Sequence, residues 1–335
     1  MHICQIVASW EHGGLEKHVI ELSNELSKDH QVTALAHPLM KQYFERTVNF
    51  VPVDFSRSRW SLSLHRDLIR ILNQIKPNVI HAQANKAALL VKRVRPFVKC
   101  SSRFVATLHN QKDNTRMFEG FDNVIVVSPR LASLVKNTPT TAIYNGVRLP
   151  PSSKIVTRQE IAQEFGLDAQ TPILIAVGRL VDAKGFDVLI EAAAKAQVQL
   201  LIVGDGELKA DLQKKINQLQ ATVVLAGFRQ DVLRLMSATD GFILSSRHEG
   251  FAYVFVEALL SKRTIIATSI PMVKDFMPEE LIVPIADVEA LATKLKWAVS
   301  HLSQWQYLMQ PSFSKAQNLL TLEAMAASTL AVYNL

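Results

Sequence analysis

Short apolar runs rich in β-branched residues alternate along the whole chain with stretches of helical period. HICQIVA leads into LEKHVIELSNEL, NVIHAQ into a basic helical stretch, and RFVATLHN and NVIVVS continue the rhythm. A second series, PILIAVG, QLLIVG, TVVLAG, GFILSS and TIIAT, repeats it, each run followed by a segment of helical pattern. Apolar strands alternating with helices predict parallel sheets covered by helices on both faces. The rhythm breaks at 149–154, LPPSSK, just after Asn145-Gly146, where prolines and serines mark a linker. The expectation is therefore two doubly wound α/β domains over 1–150 and 151–312, with a last helix over 313–333. Ligands of open α/β sheets bind beyond the carboxyl ends of the strands, which puts the expected site in a cleft between two such sheets.

The stretch 245–260, SSRHEGFAYVFVEALL, places Glu249 and Glu257 either side of an expected helix start near Phe251. On one helix, eight residues of separation would leave the two carboxylates about 80° apart, so they would not share a face. Glu249 fits a loop and Glu257 the second turn. The free N–H groups of the helix start, at Gly250, Phe251 and Ala252, would attract an anion. An alanine at 252 still presents its N–H if its φ is negative. Carboxylates accept paired hydrogen bonds from vicinal hydroxyls, so this layout suits a phosphate flanked by polyols, which is the shape of a nucleotide sugar.

Other strand ends carry further candidates. Arg179 and Lys184 follow PILIAVG, where two cations would stabilise charge growing on a departing diphosphate, as a metal does elsewhere. Gly13 and Gly14 follow the first strand and would allow close approach of a phosphate or acceptor, or form an ordinary turn. They do not make G-x-G-x-x-G, and Gly204 and Gly206 give only a short G-x-G. His109 ends RFVATLH, a position open to a structural or a functional role. Phe228 follows TVVLAG, a strand-end position open to core packing, while Phe255 reads as core.

Composition narrows the class. The chain has 335 residues, 48% of them apolar and without biased tracts, which suits two globular domains. No apolar run approaches the length of a spanning helix and MHICQIVASW lacks a signal-peptide layout, so a cytoplasmic location is expected. Cys4 and Cys100 form neither a metal-ligand spacing nor a disulfide framework. Charge is uneven: 1–150 holds 20 Lys+Arg against 11 Asp+Glu, whereas 151–335 holds 17 against 19. Arg57, Arg59, Arg66 and Arg70, then Lys92, Arg93, Arg95 and Lys99, form two basic clusters. Aromatic residues do not interleave them as a stacking platform would need, so no nucleic-acid partner is expected. A solvated surface, an anionic membrane face and an acidic glycan all remain open.

The segment S-x-x-E-G-F-A-x-x-x-x-E-A, with GGLEKHV, TLHN, YNGV, VGRLVDAKGFD and LLIVGDGE in the same order, resembles the retaining glycosyltransferases of family 4, which carry E-x(7)-E. The resemblance covers nearly the whole chain. It implies a GT-B fold whose first domain binds the acceptor and whose second binds the nucleotide sugar, the last helix crossing back onto the first. It implies that Glu257 holds the nucleotide ribose, that Glu249 and His109 contact the donor sugar, and that Arg179 and Lys184 hold the diphosphate. Phe228 would lie by the base. No metal and no further cofactor is implied, and the acceptor is a hydroxyl of a glycan or glycolipid. The chain departs from the family at SKRTIIAT, at Ser269-Ile270-Pro271-Met272 in place of a glycine pair, and at Ala252 in place of glycine. Two other readings stand beside the transferase: a nucleotide-sugar epimerase of related architecture and a non-enzymatic two-domain sugar-binding protein.

Overall fold

The computed structural model describes residues 1–10, 13–149, 156–249 and 251–335. The chain divides into two compact units, Met1–Gly146 with Leu319–Leu335, and Val147–Asn318. Of the expected linker 149–154, only Leu149 lies among the described residues.

The first unit is built on seven strands: β1 His2–Val7, β2 Gln31–Ala36, β3 Asn49–Pro52, β4 Val79–Gln83, β5 Arg103–Leu108, β6 Asn123–Val126 and β7 Thr140–Ala142. Their order is β3-β2-β1-β4-β5-β6-β7, and all pairs are parallel. Strand side chains alternate between faces. Cys4 and Ile6 of β1 join one core with Leu64, Leu68 and Leu72 of helix Leu62–Ile75 and with Ala87, Leu90 and Val91 of helix Ala84–Val94. Ile3 joins the other, with Leu22 and Leu26 of helix Gly14–Leu26 and Met325, Val332 and Tyr333 of helix Leu322–Asn334. Both faces are thus covered, which is why the strands read as apolar runs.

The second unit has six strands: β8 Ile173–Val177, β9 Gln199–Val203, β10 Val223–Gly227, β11 Gly241–Leu244, β12 Ile265–Thr268 and β13 Ile282–Val283. Their order is β10-β9-β8-β11-β12-β13, again all parallel. The chain leaves β8 toward β9 on one side and returns to β11 on the other, so a topological switch point lies between β8 and β11. In the first unit the corresponding point lies between β1 and β4.

The C-terminal region differs from the expected single helix over 313–333. Helix Gln310–Leu319 stops, and helix Leu322–Asn334 starts afresh with Thr321 as its N-cap, the Thr321 hydroxyl accepting from Ala324 N at 3.1 Å. The division between units accordingly falls between Asn318 and Leu319 rather than at 312/313. This last helix packs on the backbone of Gly146, where a Cβ would come within 2.4 Å of the Thr321 carbonyl oxygen.

Candidate functional site

In the second unit the loops after β8, β9 and β11 are knitted together at the carboxyl ends of their strands. Gly204 has φ +146°, and a Cβ there would lie 1.9 Å from the Gly178 carbonyl oxygen. A Cβ on Gly206 would lie 2.6 Å from the Leu180 carbonyl oxygen. The short G-x-G therefore serves close backbone packing: it lets the β9 loop nest against the β8 loop that carries Arg179. Leu180 N donates to Asp205 O at 2.9 Å, and Leu208 N to Leu180 O at 3.0 Å. On the other side, Gly185 at φ +63° leaves room for the Ser245 carbonyl, which a Cβ would approach to 2.3 Å.

This packing brings Lys184 and Glu249 into an ion pair, both side chains half-buried at 18% and 11% exposure. Ser246 Oγ donates to the same carboxylate oxygen of Glu249 at 2.7 Å, and Ser245 Oγ donates to Lys184 O at 2.8 Å. The carboxylate thus has a cation and a hydroxyl on one oxygen. Arg247 is not its partner: the guanidinium grips Asp187 with two bonds of 2.8 and 2.7 Å, which holds the Asp187 carboxyl below its usual range. Arg247 N also donates to Ala183 O at 2.8 Å, tying the β11 loop to the β8 loop. Thr268 Oγ1 donates to Ser246 O at 2.6 Å from the end of β12. Arg179 is exposed and makes no ion pair among the described residues.

The helix after Glu249 begins later than the expected Phe251. It spans Tyr253–Leu260 with Ala252 as N-cap, so Glu249 sits in the preceding loop and the half-buried Glu257 in the second turn. Within this turn Phe251 and Ala252 act as acceptors through their carbonyls: Tyr253 N donates to Phe251 O at 3.1 Å, and Phe255 N to Ala252 O at 3.0 Å. Ala252 has φ −85°, a conformation any residue adopts. Gly250 lies outside the described residues. Phe255 is fully buried, whereas Phe228, after β10, is 73% exposed, which removes the core-packing reading for it.

His109 follows β5 in the first unit, half-buried, and shares its surroundings with two buried histidines. Its ring meets that of His18 edge-on at 4.8 Å, and its Nε2 lies 2.9 Å from Gln83 Oε1. Burial pushes all three imidazoles down, His18 to about 4 against a smaller opposing effect of Asn145, and His81 to about 3. His109 is held well below the usual value, first by burial and then by His18 and His81, so it is neutral at physiological pH. Gly13 caps helix Gly14–Leu26 in an extended conformation, and its N–H is taken by Glu16 Oε2 at 3.2 Å. Gly14 lies exposed in the first turn. Sequence reasoning missed Ser246, the Asp187–Arg247 fork and the Gln83 contact. The serines next to Glu249 were the one local signal for any of them.

Two family models match consecutive parts of the chain: Glycosyltransferase Family 4 over 12–149 and Glycosyl transferases group 1 over 171–301. The lipopolysaccharide core biosynthesis glycosyltransferase LpsE of Rhizobium meliloti is 26% identical over 302 residues, with 86% of each chain covered. A glycosyltransferase of Rickettsia africae superposes with a TM-score of 0.81 at 18% identity, over 99% of this chain and 97% of that one. HepE of Anabaena, solved in complex with UDP, superposes with a TM-score of 0.79 at 20% identity, over 99% and 100%. With two parallel α/β units and a family model matched to each, the chain belongs to the group 1 and family 4 glycosyltransferases of GT-B fold.

Proposed function

We propose that this glycosyltransferase is a retaining, metal-independent enzyme. It moves a sugar from a nucleotide diphosphate, UDP ahead of GDP, to a hydroxyl of a surface-polysaccharide or lipopolysaccharide acceptor. The observation that carries the reading is the joining of Lys184 and Glu249 at the switch point between β8 and β11, with the exposed Arg179 on the same β8 loop as Lys184. A diphosphate draws on Lys184 and Arg179, whose charge balances the negative charge that grows as the sugar–phosphate bond breaks. Glu249 then accepts from donor-sugar hydroxyls, and Glu257, in the second turn of the helix that follows, from the ribose. Neutral His109 adds a hydrogen bond to the sugar rather than a second positive charge. The first unit takes the acceptor. LpsE supports a lipopolysaccharide acceptor and HepE a UDP donor. A transferase of this kind needs an acceptor, which separates it from an epimerase, and a nucleotide, which separates it from a sugar-binding protein.

Among the described residues no helix is long and apolar enough to cross a membrane. The reading includes peripheral docking on the anionic cytoplasmic face. It is supported by the basic first half and by Trp60, Leu62 and Phe97, each at least 60% exposed, with the Arg93 guanidinium 3.5 Å from the Trp60 ring centre. The test is transfer from UDP-sugars to lipopolysaccharide-core oligosaccharides in EDTA, with the product's anomeric configuration read by NMR. Retention supports the proposal; inversion, or a requirement for a divalent cation, defeats it.

A further inference from the structure

Five buried or half-buried hydrogen bonds form one connected network: three run from the last helix through Gln5 and Gln83 to His109, and two branch through His81 to Thr107. Tyr333 Oη lies 2.6 Å from His81 Nδ1 and accepts from Gln5 Nε2 at 3.0 Å. Gln83 Nε2 donates to Gln5 Oε1 at 2.9 Å, with a weaker approach of 3.4 Å to His81 Nδ1. Gln83 Oε1 faces His109 Nε2 at 2.9 Å, and His81 Nε2 faces Thr107 Oγ1 at 2.7 Å. Gln5, His81, Gln83, Thr107 and Tyr333 are each at most 4% exposed, and all six residues belong to the first unit.

The polarity of this chain follows from the amide orientations. Gln83 gives its N–H to Gln5 and so keeps only its oxygen for His109; His109 must then donate from Nε2. Gln5 gives its N–H to the Tyr333 oxygen, so the phenol hydrogen is free to go to His81 Nδ1, and His81 donates from Nε2 to Thr107. Each donor fixes the next. Reversing the His109 tautomer requires both amides and the phenol to turn together, and buried groups pay for any bond left unmade. The phenol's ionisation is pushed up by burial, so it stays a donor.

We infer that Tyr333 is a positioning residue for the transfer reaction: through Gln5 and Gln83 it locks His109 as the neutral tautomer protonated at Nε2, leaving Nδ1 as the ring's acceptor for a donor-sugar hydroxyl. This rests on the proposed role of His109. Neither Gln5, Gln83 nor Tyr333 needs to touch substrate.

The experiment combines ¹⁵N ring shifts of His109 with steady-state transfer in wild type, Tyr333→Phe and Gln5→Met, the second variant breaking the relay without altering the helix Leu322–Asn334. The wild type is expected to show one His109 tautomer, protonated at Nε2. Each folded variant is expected to show mixed tautomers and about a ten-fold fall in kcat, the scale of one lost hydrogen bond, with KM for the nucleotide sugar unchanged. A wild-type His109 protonated at Nδ1, or an unmixed tautomer with unchanged kcat in the variants, overturns the inference. If His109→Ala retains full activity, the role of His109 fails while the tautomer result still stands, so the two claims fail separately.

Discussion

Replacing Lys184 by Met keeps the aliphatic stem that packs against Gly178 but removes the ammonium, leaving Glu249 with Ser246 as its remaining hydrogen-bond partner at this site. Exposed ion pairs contribute up to about 1 kcal/mol, and breaking a fully buried one costs about 3 to 5. Exposures of 18% and 11% put this pair between those limits, at about 2 kcal/mol. The unit that holds it spans Val147–Asn318, and for a domain of that size each kcal/mol moves Tm by about 2 to 4 °C. Lys184→Met should therefore lower the Tm of the second unit by about 4 to 8 °C, and the double variant Lys184→Met/Glu249→Gln should recover part of the loss. Calorimetry of the two single variants and the double gives the coupling directly. The functional arm separates the pair's roles: Glu249→Gln releases Lys184 to the diphosphate, so UDP should bind as well as or better than in wild type while sugar transfer falls. Strictly additive Tm losses, or single variants within 1 °C of wild type, would refute the reasoning.

Three further expectations follow from other parts of the molecule. Gly204→Ala combines a positive φ with a Cβ only 1.9 Å from the Gly178 carbonyl oxygen and should cost at least about 3 kcal/mol, whereas Gly166→Ala, with open space around it, should cost about 1; thermal melts of the two variants compare them. His18 and His81 stay neutral in the folded first unit down to about 4 and about 3, while the unfolded chain takes up protons near 6.5. The unfolded state therefore binds more protons between these values, and stability falls as pH drops from 6.5 toward 4, by about 1.4 kcal/mol per pH unit for each histidine. Urea unfolding midpoints at pH 7 and 5 check this, and a flat profile contradicts it. Trp60→Ala with Arg93→Ala should reduce co-sedimentation with anionic liposomes at low salt; absence of wild-type binding at both low and high salt removes the membrane docking.

The alternation of apolar runs and helical segments was legible because parallel strands buried on both faces admit few polar residues: ILIAV and LLIV became β8 and most of β9. The placement of Glu249 before, and Glu257 within, one helix also followed from their spacing. What stayed hidden is long-range. The Lys184–Glu249 pair joins residues 65 apart, and Tyr333 reaches Gln5 across 328 positions. No local period encodes such contacts. The late start at Tyr253 reflects turn hydrogen bonds that a residue pattern does not resolve. The break before Leu322, by contrast, carried a readable signal in Thr321 ahead of an apolar run, masked by the apolar residues on either side. Gly204 reads in the sequence only as part of a short G-x-G, and its packing role becomes visible only beside Gly178.

The most direct test of the central claim is a metal-free titration of UDP, GDP, ADP and their sugar conjugates into the wild type and Glu257→Ala. The account predicts selective binding of one nucleotide, on the order of micromolar, weakened about 10 to 100-fold in the variant as hydrogen bonds to a charged acceptor worth about 1.5 to 3 kcal/mol are lost. No nucleotide binding, or equal affinity in wild type and variant, would contradict it.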